Sequence, residues 1–264
     1  MKFRWLYFLA IIMMLTPITV SAEQQTPLEK LDDISDEALQ MVKFQRYEDA
    51  KKLLDYFSDQ FTNITGAEEP LSMDEVRIVN TSHDEAMEAA VSPNMKYEER
   101  LNKLTKFRLV IDAIATSHQP LWTELESQVM TALHQAKEAA VMGDNAHFHT
   151  NFNTFLSLYN VIYPSMKIDV PVENIQRLDA RIDFINEYRT QVLSDSKSQQ
   201  ELNALDTDLK NLFTNMEEDE ADPSLWWVII STGSIIIMTL SYVGWRKYQG
   251  DKEPKKNRSR DIKD

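Results

Sequence analysis

The sequence IQRLDARIDFINEYRTQVLSDSKSQQELNALDTDLKNLFTNM occupies residues 175–216 and repeats an apolar side chain at every third or fourth position in two successive segments. The apolar positions are Ile175, Leu178, Ile182, Ile185 and Val192 in the first segment, and Leu202, Leu205, Leu209, Leu212 and Met216 in the second. This spacing gathers the apolar side chains on one face of each helix. We therefore predict an antiparallel helical hairpin over 175–216, with Arg189 at one core position.

The sequence before this hairpin is also patterned as helices, and prolines separate them. Only Val76-Arg77-Ile78-Val79 resembles a strand, and it extends a helical pattern equally well. The predicted helical segments are two within 28–61 on either side of Phe44–Tyr47, a bent or double helix over 73–91, one beginning at Pro93, one from Pro120 to Met142, and one that ends before Pro164. The predicted fold class is all-α, an extracytoplasmic bundle of helical hairpins plus one C-terminal transmembrane helix.

Several short motifs predict where helices begin and end. Three serine-to-glutamate stretches match a capping box, in which a serine oxygen accepts a backbone N–H and the glutamate reaches back to the cap; they begin at Ser72, Ser82 and Ser198. Gly143 is predicted to end one helix and Asp144 to cap the next. A faint tetratricopeptide-like pattern around Tyr47 has only one weak echo, so generic hairpin packing is favoured.

The helix after Gly143 carries a broad aromatic face, formed by Phe148, Phe152, Phe155, Leu156, Tyr159 and Tyr163. Such a stripe at helical spacing is most often part of a hydrophobic core. The alternative is an apolar groove that accepts a peptide helix or a ligand. The sequence favours the core and leaves the groove open.

Composition excludes several classes of protein. The chain has no cysteine and five glycines, of which only Gly66 and Gly143 precede the C-terminal apolar run. Without cysteine there is no disulfide scaffold, no thiol catalysis and no Cys-ligated metal. Phosphate-binding and dinucleotide-binding loops need several closely spaced glycines and are excluded too.

No catalytic, cofactor-binding or metal-binding residues can be assigned from the sequence. The five histidines are His83, His118, His134, His147 and His149. His147 and His149 are two residues apart on a predicted helix and point to different sides, so one metal ion is not expected to bind both. Adjacent carboxylates are numerous in so acidic a chain and are expected to be solvated. We expect a protein that is not an enzyme.

The first 22 residues have the three-part plan of a secretory signal peptide. Lys2 and Arg4 precede an apolar stretch over 5–15, and Val20-Ser21-Ala22 supplies small side chains for cleavage. The apolar stretch is short for a membrane span, which needs about 20 residues. An uncleaved signal anchor is the alternative to cleavage after Ala22.

Residues 225–245 form an uncharged apolar run near the C-terminus. As a helix this run is about 31 Å long, enough to cross a bilayer core of about 30 Å. Aromatic side chains flank it and basic side chains follow it, as is typical of membrane interfaces. The predicted anchor residues are Trp226, Trp227, Trp245, Arg246 and Lys247.

Charge predicts the orientation of the chain in the membrane. The 246–264 tail is rich in Lys and Arg, which places it in the cytoplasm. The whole chain has 28 Lys+Arg and 42 Asp+Glu, a formal net charge of −14, so no nucleic-acid partner is expected. The predicted organisation is a signal peptide at 1–22, an extracytoplasmic helical domain at 23–216, an acidic stalk at 217–224, a transmembrane helix at 225–245 and a basic cytoplasmic tail at 246–264.

Two segments carry a resemblance to a known family. Together with this overall plan, Arg46-Tyr47-Glu48-Asp49-Ala50-Lys51 and Pro171-Val172-Glu173-Asn174-Ile175 resemble the sporulation protein YpjB family of endospore-forming bacteria. The resemblance implies a membrane protein of sporulation, whose extracytoplasmic side lies outside a single plasma membrane. It brings no catalytic or binding residues to this chain.

The leading functional hypothesis is a non-enzymatic protein–protein interaction module of the cell envelope, anchored in the plasma membrane by one span. Its partner would be another envelope protein. The alternative is a sensor that binds a ligand or peptide in its aromatic-lined interior and works with a cytoplasmic partner. A third class, a wall-modifying enzyme, requires a buried pair of carboxylates in a cleft.

Overall fold

The computed structural model describes residues 26–67, 71–116, 119–218 and 223–250. Every regular element in these ranges is helical, which confirms the all-α prediction. The helices are α1 (Pro27–Lys43), α2 (Tyr47–Ala67), α3 (Met73–Val91), α4 (Tyr97–Ala115), a 3₁₀ helix (Leu121–Leu125), α5 (Glu126–Met142), α6 (Asn145–Asp169), α7 (Val172–Glu187), α8 (Arg189–Ser194), α9 (Ser196–Glu218) and α10 (Pro223–Gly250).

The chain forms two compact units. Within the described residues, the first unit holds α1 to α4 and residues 160–170. The second holds the 3₁₀ helix, α5, the first part of α6 up to residue 159, and α7 to α10. Helix α6 therefore contributes residues to both units.

In the first unit, α1 packs against α2 and α4, and α3 packs against α4. Its core holds stacked and edge-on aromatic rings: Phe57 lies 4.8 Å from Phe107 and 5.7 Å from Phe61, measured between ring centroids. Capping boxes begin two of its helices, one at Ser72 as predicted and one at Thr26. In each box the side-chain oxygen accepts the N–H three residues on, and the glutamate there accepts the N–H of the cap.

The turn between α1 and α2 lies where the sequence predicts it. Helix α1 ends with Gln45 in the left-handed region, at φ 58°, and the Arg46 N–H donates to the Met41 carbonyl. This arrangement satisfies the last carbonyls of the helix, but the left-handed position usually belongs to glycine. The backbone at Gln45 is therefore strained.

In the second unit, the turn at Gly143 matches the prediction. Gly143 has φ 69°, and the Asp144 carboxylate accepts the N–H of His147 at the start of α6. The aromatic face of α6 then forms the core of this unit. Neighbouring rings from Phe148 to Tyr159 lie 5.7–6.0 Å apart. Phe148, Phe152 and Phe155 are fully buried, so the face is core over these residues, whereas Tyr163 at its end belongs to the first unit and is only partly buried.

The predicted hairpin over 175–216 is formed by α7 and α9, which pack antiparallel. Asn174 lines the same cavity as Asn215, and Arg181 pairs with Asp208, so residues late in α7 meet residues early in α9. The first arm is not one helix as predicted, because it breaks at Tyr188 and continues as α8. Just after the break, the guanidinium of Arg189 lies over the Phe152 ring, 5.1 Å from its centroid, and stays partly accessible.

Some predicted helix ends differ from the structure. Ser82 does not begin a helix: it is buried within the continuous α3, and its hydroxyl donates to the Val79 carbonyl. Ser198 does not cap α9, because Asp195 accepts its N–H and the helix begins earlier. Helix α4 begins at Tyr97, after Pro93. Helix α6 continues through Pro164, since the buried side chains of Ile162 and Met166 hold its last turns in the first unit.

Candidate functional site

The five predicted anchor residues all lie in α10 (Pro223–Gly250). Trp245, Arg246 and Lys247 are exposed, whereas Trp226 and Trp227 are helical and their side chains lie outside the described set. Every residue from 229 to 248 is exposed except Gly233, which is intermediate. The exposed residues include Ile229, Ile230, Ile235, Ile236, Ile237, Met238, Leu240 and Val243. Helix α10 therefore presents apolar side chains on all its faces.

No helix within the described residues combines the length and the apolarity needed to cross a membrane. The predicted signal peptide at 1–22 lies outside the described residues. So do residues 219–222 of the predicted stalk and residues 251–264 of the predicted tail.

The first unit contains a groove between α3, α4 and the last turns of α6, and we call it the basic groove. It encloses a cavity of about 210 Å³. Its lining consists of Arg77, Ile78, Thr81, Ser82 and Glu85 of α3, Lys106 of α4, and Tyr163, Pro164 and Lys167 of α6. Three cationic side chains and one carboxylate thus surround an apolar floor, although the chain as a whole is strongly acidic.

The cations of the basic groove differ in how they are held. The Lys106 ammonium is nearly buried and lies 2.9 Å from the Glu85 carboxylate. Arg77 pairs with Asp74 at 2.6 Å, but both side chains are more than two-thirds exposed, at 71% and 77%. Lys167 is exposed and its ammonium lies 5.7 Å from the centroid of the Tyr163 ring. In the described part of the chain, no carboxylate forms an ion pair with Lys167.

A second cavity, of about 520 Å³, lies in the first unit between the start of α2 and the end of α3. Arg100 lines it and is 95% buried, with a relative exposure of 5%. Its guanidinium donates to the carbonyls of Ala89, Ser92 and Met95, near the end of α3 and just beyond it. The negative end of the α3 dipole thus offsets this buried charge, which gives Arg100 a structural role as a helix cap.

The first unit also contains a cluster of partly buried carboxylates on α1 and α4. Arg108 forms a two-pronged pair with Asp32 and also contacts Asp36 and Asp112, at 3.6 and 3.8 Å. Burial raises the pKa of Asp32, the charge of Asp112 adds to this effect, and Arg108 offsets part of it. Because one arginine faces all three carboxylates, the cluster is explained as an ion-pair network that joins two helices.

The described histidines are each engaged in packing or in a polar contact. His83 stacks on Phe57, and its Nε2 lies 3.0 Å from the Leu54 carbonyl oxygen. The other three contact Asp206 (His134, 2.8 Å), Asp144 (His147, 2.7 Å) and Arg189 (His149, 3.1 Å). Among the described residues, no group of three or more His, Asp or Glu side chains is placed to hold a metal ion.

In the second unit, two ion-pair networks join α9 to its neighbours. Asp206 accepts from His134 and from Lys137 of α5, at 2.8 and 2.5 Å. Arg181 of α7 donates to Glu201 and Asp208, at 2.6 and 2.8 Å. Beside this second network lies a small polar cavity of about 190 Å³ lined mainly by Asn174, Arg177, Asn211 and Asn215.

Among the residues of the basic groove, Tyr163 lies on the aromatic face for which the sequence left a groove open, whereas the charged residues were not predicted as a site. One local signal was available, since Lys106 interrupts the apolar face of α4 and is buried. Its pairing with Glu85 and the contribution of Lys167 depend on which helices lie side by side. Periodicity within one helix does not contain that information.

Comparison with known proteins identifies the family. The family model for sporulation protein YpjB (SpoYpjB) matches residues 28–257. A Bacillus subtilis (strain 168) protein with the name "Uncharacterized protein YpjB" is 35% identical over 239 residues, which cover 90% of each chain. No solved structure matches the chain. The family match spans most of the sequence and includes both helical units, and the chain therefore belongs to the sporulation protein YpjB family.

Proposed function

We propose that this chain is a membrane-anchored, non-enzymatic protein of the sporulating cell envelope, and that its extracytoplasmic helical units bind another envelope protein. The observation that supports the proposal is the contrast between the buried cores of the helical units and the exposed apolar surface of α10. Two helical units have filled cores, whereas α10 exposes apolar side chains on every face.

The exposed surface of α10 supports the membrane anchor. Ile229, Ile236 and Trp245 are 62%, 52% and 59% exposed, and similar side chains surround them. Leaving one large apolar side chain in water costs about 1.5–3 kcal/mol relative to burial. An apolar surface of this extent is typical of a site that another phase or another protein covers. In sequence, the uncharged run begins at Leu225, and lipid tails would cover it on all sides.

The basic residues that follow α10 support the orientation. Arg246 and Lys247 occupy its last turns, and the sequence after it contains Lys252, Lys255, Lys256, Arg258, Arg260 and Lys263. Positive charge flanking a span remains on the cytoplasmic side. The first unit, and the second unit up to the end of α9, would then lie outside the plasma membrane.

The ion pairs of the described titratable groups support a role other than catalysis. The partly buried Asp32 and Asp112 both face Arg108, so they do not form the isolated acid–base pair that a wall-modifying enzyme requires. On the aromatic face of α6, Phe148, Phe152 and Phe155 stack on one another and are fully buried, which counts against a sensor ligand among these three rings. These observations favour binding of a protein by the surface grooves.

Labelling of single engineered cysteines tests the anchor and its orientation, because the chain has no cysteine of its own. One variant carries Ser58→Cys on the exposed side of α2, and the other carries Ser259→Cys in the tail. In intact protoplasts, we expect a membrane-impermeant maleimide to label the first variant only. Detergent permeabilisation should expose the second. Release of the protein by carbonate wash would contradict the anchor, and labelling of the tail in intact protoplasts would contradict the orientation.

Crosslinking in sporulating cells tests the interaction. We expect the tagged full-length chain to be recovered with one partner protein at a ratio near one-to-one. Variants in which the α7–α9 hairpin no longer folds should be recovered without this partner. Recovery of the chain alone, under conditions that capture a known envelope complex, would contradict the interaction module.

A further inference from the structure

We infer that the basic groove of the first unit binds an acidic peptide segment of the partner protein, with one apolar side chain in the cavity and carboxylates against Arg77 and Lys167. This inference rests on the proposed function and adds the chemistry of the partner.

The size of the cavity favours a peptide side chain over a complete small molecule. The cavity of about 210 Å³ is smaller than typical small-molecule sites, which have volumes of about 300–1,000 Å³. Its floor includes Ile78 and the rings of Tyr163 and Pro164, so an apolar group is favoured there. A side chain anchored in a small pocket, with polar contacts at the rim, is the usual arrangement of a peptide site.

The charges at the rim favour carboxylates. Lys106 and Glu85 neutralise each other at 2.9 Å, which leaves Arg77 and Lys167 as the cations that a ligand can reach. The pair between Arg77 and Asp74 is a surface ion pair between neighbouring turns and is worth little, so Arg77 can exchange Asp74 for a ligand carboxylate.

The net negative charge of the chain does not prevent this contact. Charges separated by more than about 8–10 Å are largely screened at physiological ionic strength. At contact distance, the groove presents Arg77 and Lys167 and a Glu85 carboxylate that already has its counter-ion.

Fluorescence anisotropy with matched peptides tests the inference. The probe is a labelled peptide with a central leucine flanked by two glutamates on each side, and its counterpart carries glutamines instead. The protein is the full-length chain in an uncharged detergent. We expect the glutamate peptide to bind at least tenfold more tightly than the glutamine peptide, and raised salt to weaken its binding.

Variants assign the binding to the groove. Arg77→Gln and Lys167→Gln should each weaken binding of the glutamate peptide about threefold. The double variant with Arg77→Glu and Lys167→Glu should prefer a peptide with lysines in place of the glutamates. Lys51→Gln, which removes a partly exposed positive charge outside the groove lining, is the matched control and should leave binding unchanged.

Equal binding of the glutamate and glutamine peptides, no binding of either, or equal binding by the groove variants and the control would each overturn the inference. Far-UV circular dichroism checks that every variant retains its helices. Recovery of the envelope partner by crosslinking is independent of these peptides, so the groove assignment can fail while the interaction module stands.

Discussion

The guanidinium carbon of Arg100 lies 4.5 Å from the centroid of the Tyr47 ring. The same guanidinium donates hydrogen bonds to the carbonyls of Ala89, Ser92 and Met95. Arg100 therefore contacts both the start of α2 and the end of α3. One side chain of α4 thus joins two helix ends and the loop before α4 through a cation–π contact and three hydrogen bonds.

Replacing Arg100 should destabilise the first unit. We expect Arg100→Met to lower the free energy of unfolding by about 2–3 kcal/mol, because it leaves three carbonyls without a charged donor. Arg100→Lys should recover only part of this, since an ammonium lacks the planar fork that reaches all three carbonyls. Hydrogen-exchange mass spectrometry on α3 and α4 measures the effect within this unit. Arg46→Met, which removes an exposed arginine paired within its own turn, is the control, and an equal loss there would contradict the role of Arg100.

Replacing Gln45 by glycine should stabilise the same unit. Gln45 has φ 58°, a conformation that costs a residue with a Cβ about 1–2 kcal/mol and costs glycine nothing. Glycine also makes the unfolded chain more flexible, which offsets part of this benefit. We therefore expect the free energy of unfolding, measured with urea, to rise by about 0.5–1 kcal/mol. Ser58→Gly, at an exposed position inside α2, should instead lose about 0.5 kcal/mol. A loss at both positions would show that Gln45 is not strained.

Replacing Asp206 should change how stability depends on pH. Burial alone would raise the pKa of Asp206, but hydrogen bonds from Lys137 and His134 outweigh it and lower the pKa below the usual range. A carboxylate with a lowered pKa stabilises the folded state above its unfolded pKa of about 3.9, and this contribution is lost as the pH falls through the lower folded pKa.

We therefore expect Asp206→Asn to cost about 1 kcal/mol at pH 7 and progressively less below about pH 4. Urea unfolding at a series of pH values measures this difference. Asp183→Asn, on the exposed side of α7, should show no such dependence. A deficit of Asp206→Asn that stays constant down to about pH 2 would contradict the assigned ion pairs.

Replacing Pro164 should strengthen α6. Proline inside a helix removes one backbone hydrogen bond and costs about 3 kcal/mol, yet α6 continues to Asp169. Pro164→Ala restores an N–H that can donate to the Asn160 carbonyl, so we expect slower hydrogen exchange after residue 160 and a gain of about 1–2 kcal/mol. Tyr163→Ala leaves the proline in place and should not slow exchange. Faster exchange in Pro164→Ala would contradict this prediction.

Local signals were enough for much of the fold. Gly143 ends α5 in the left-handed conformation that glycine alone adopts without strain, and Ser72 caps α3, so both ends follow from a few adjacent residues. The spacing of Leu202, Leu205 and Leu209 similarly fixes the buried face of α9. In these cases the interactions that decide where a helix ends, or which of its faces is buried, are made by residues within one or two helical turns.

Tertiary packing decided the elements that were mispredicted. Pro164 normally ends a helix, but the burial of Ile162 and Met166 outweighs the lost hydrogen bond. At the start of α9, Asp195 instead of Ser198 accepts a backbone N–H, and Ser198 is buried inside the helix. The basic groove was not predictable for the same reason, since it depends on the placement of α6 beside α3 and α4.

The contact between Trp122 and Phe213 has a practical consequence for spectroscopy. Trp122 is fully buried, and its ring centroid lies 5.4 Å from that of Phe213. The other tryptophans are Trp5, in the predicted signal peptide, and Trp226, Trp227 and Trp245, in α10. A chain cleaved after Ala22 and carrying phenylalanine at those last three positions would fluoresce from Trp122 alone. Its emission, blue-shifted in the core and red-shifted in water, would report the unfolding of the second unit while the first remained optically silent at that wavelength.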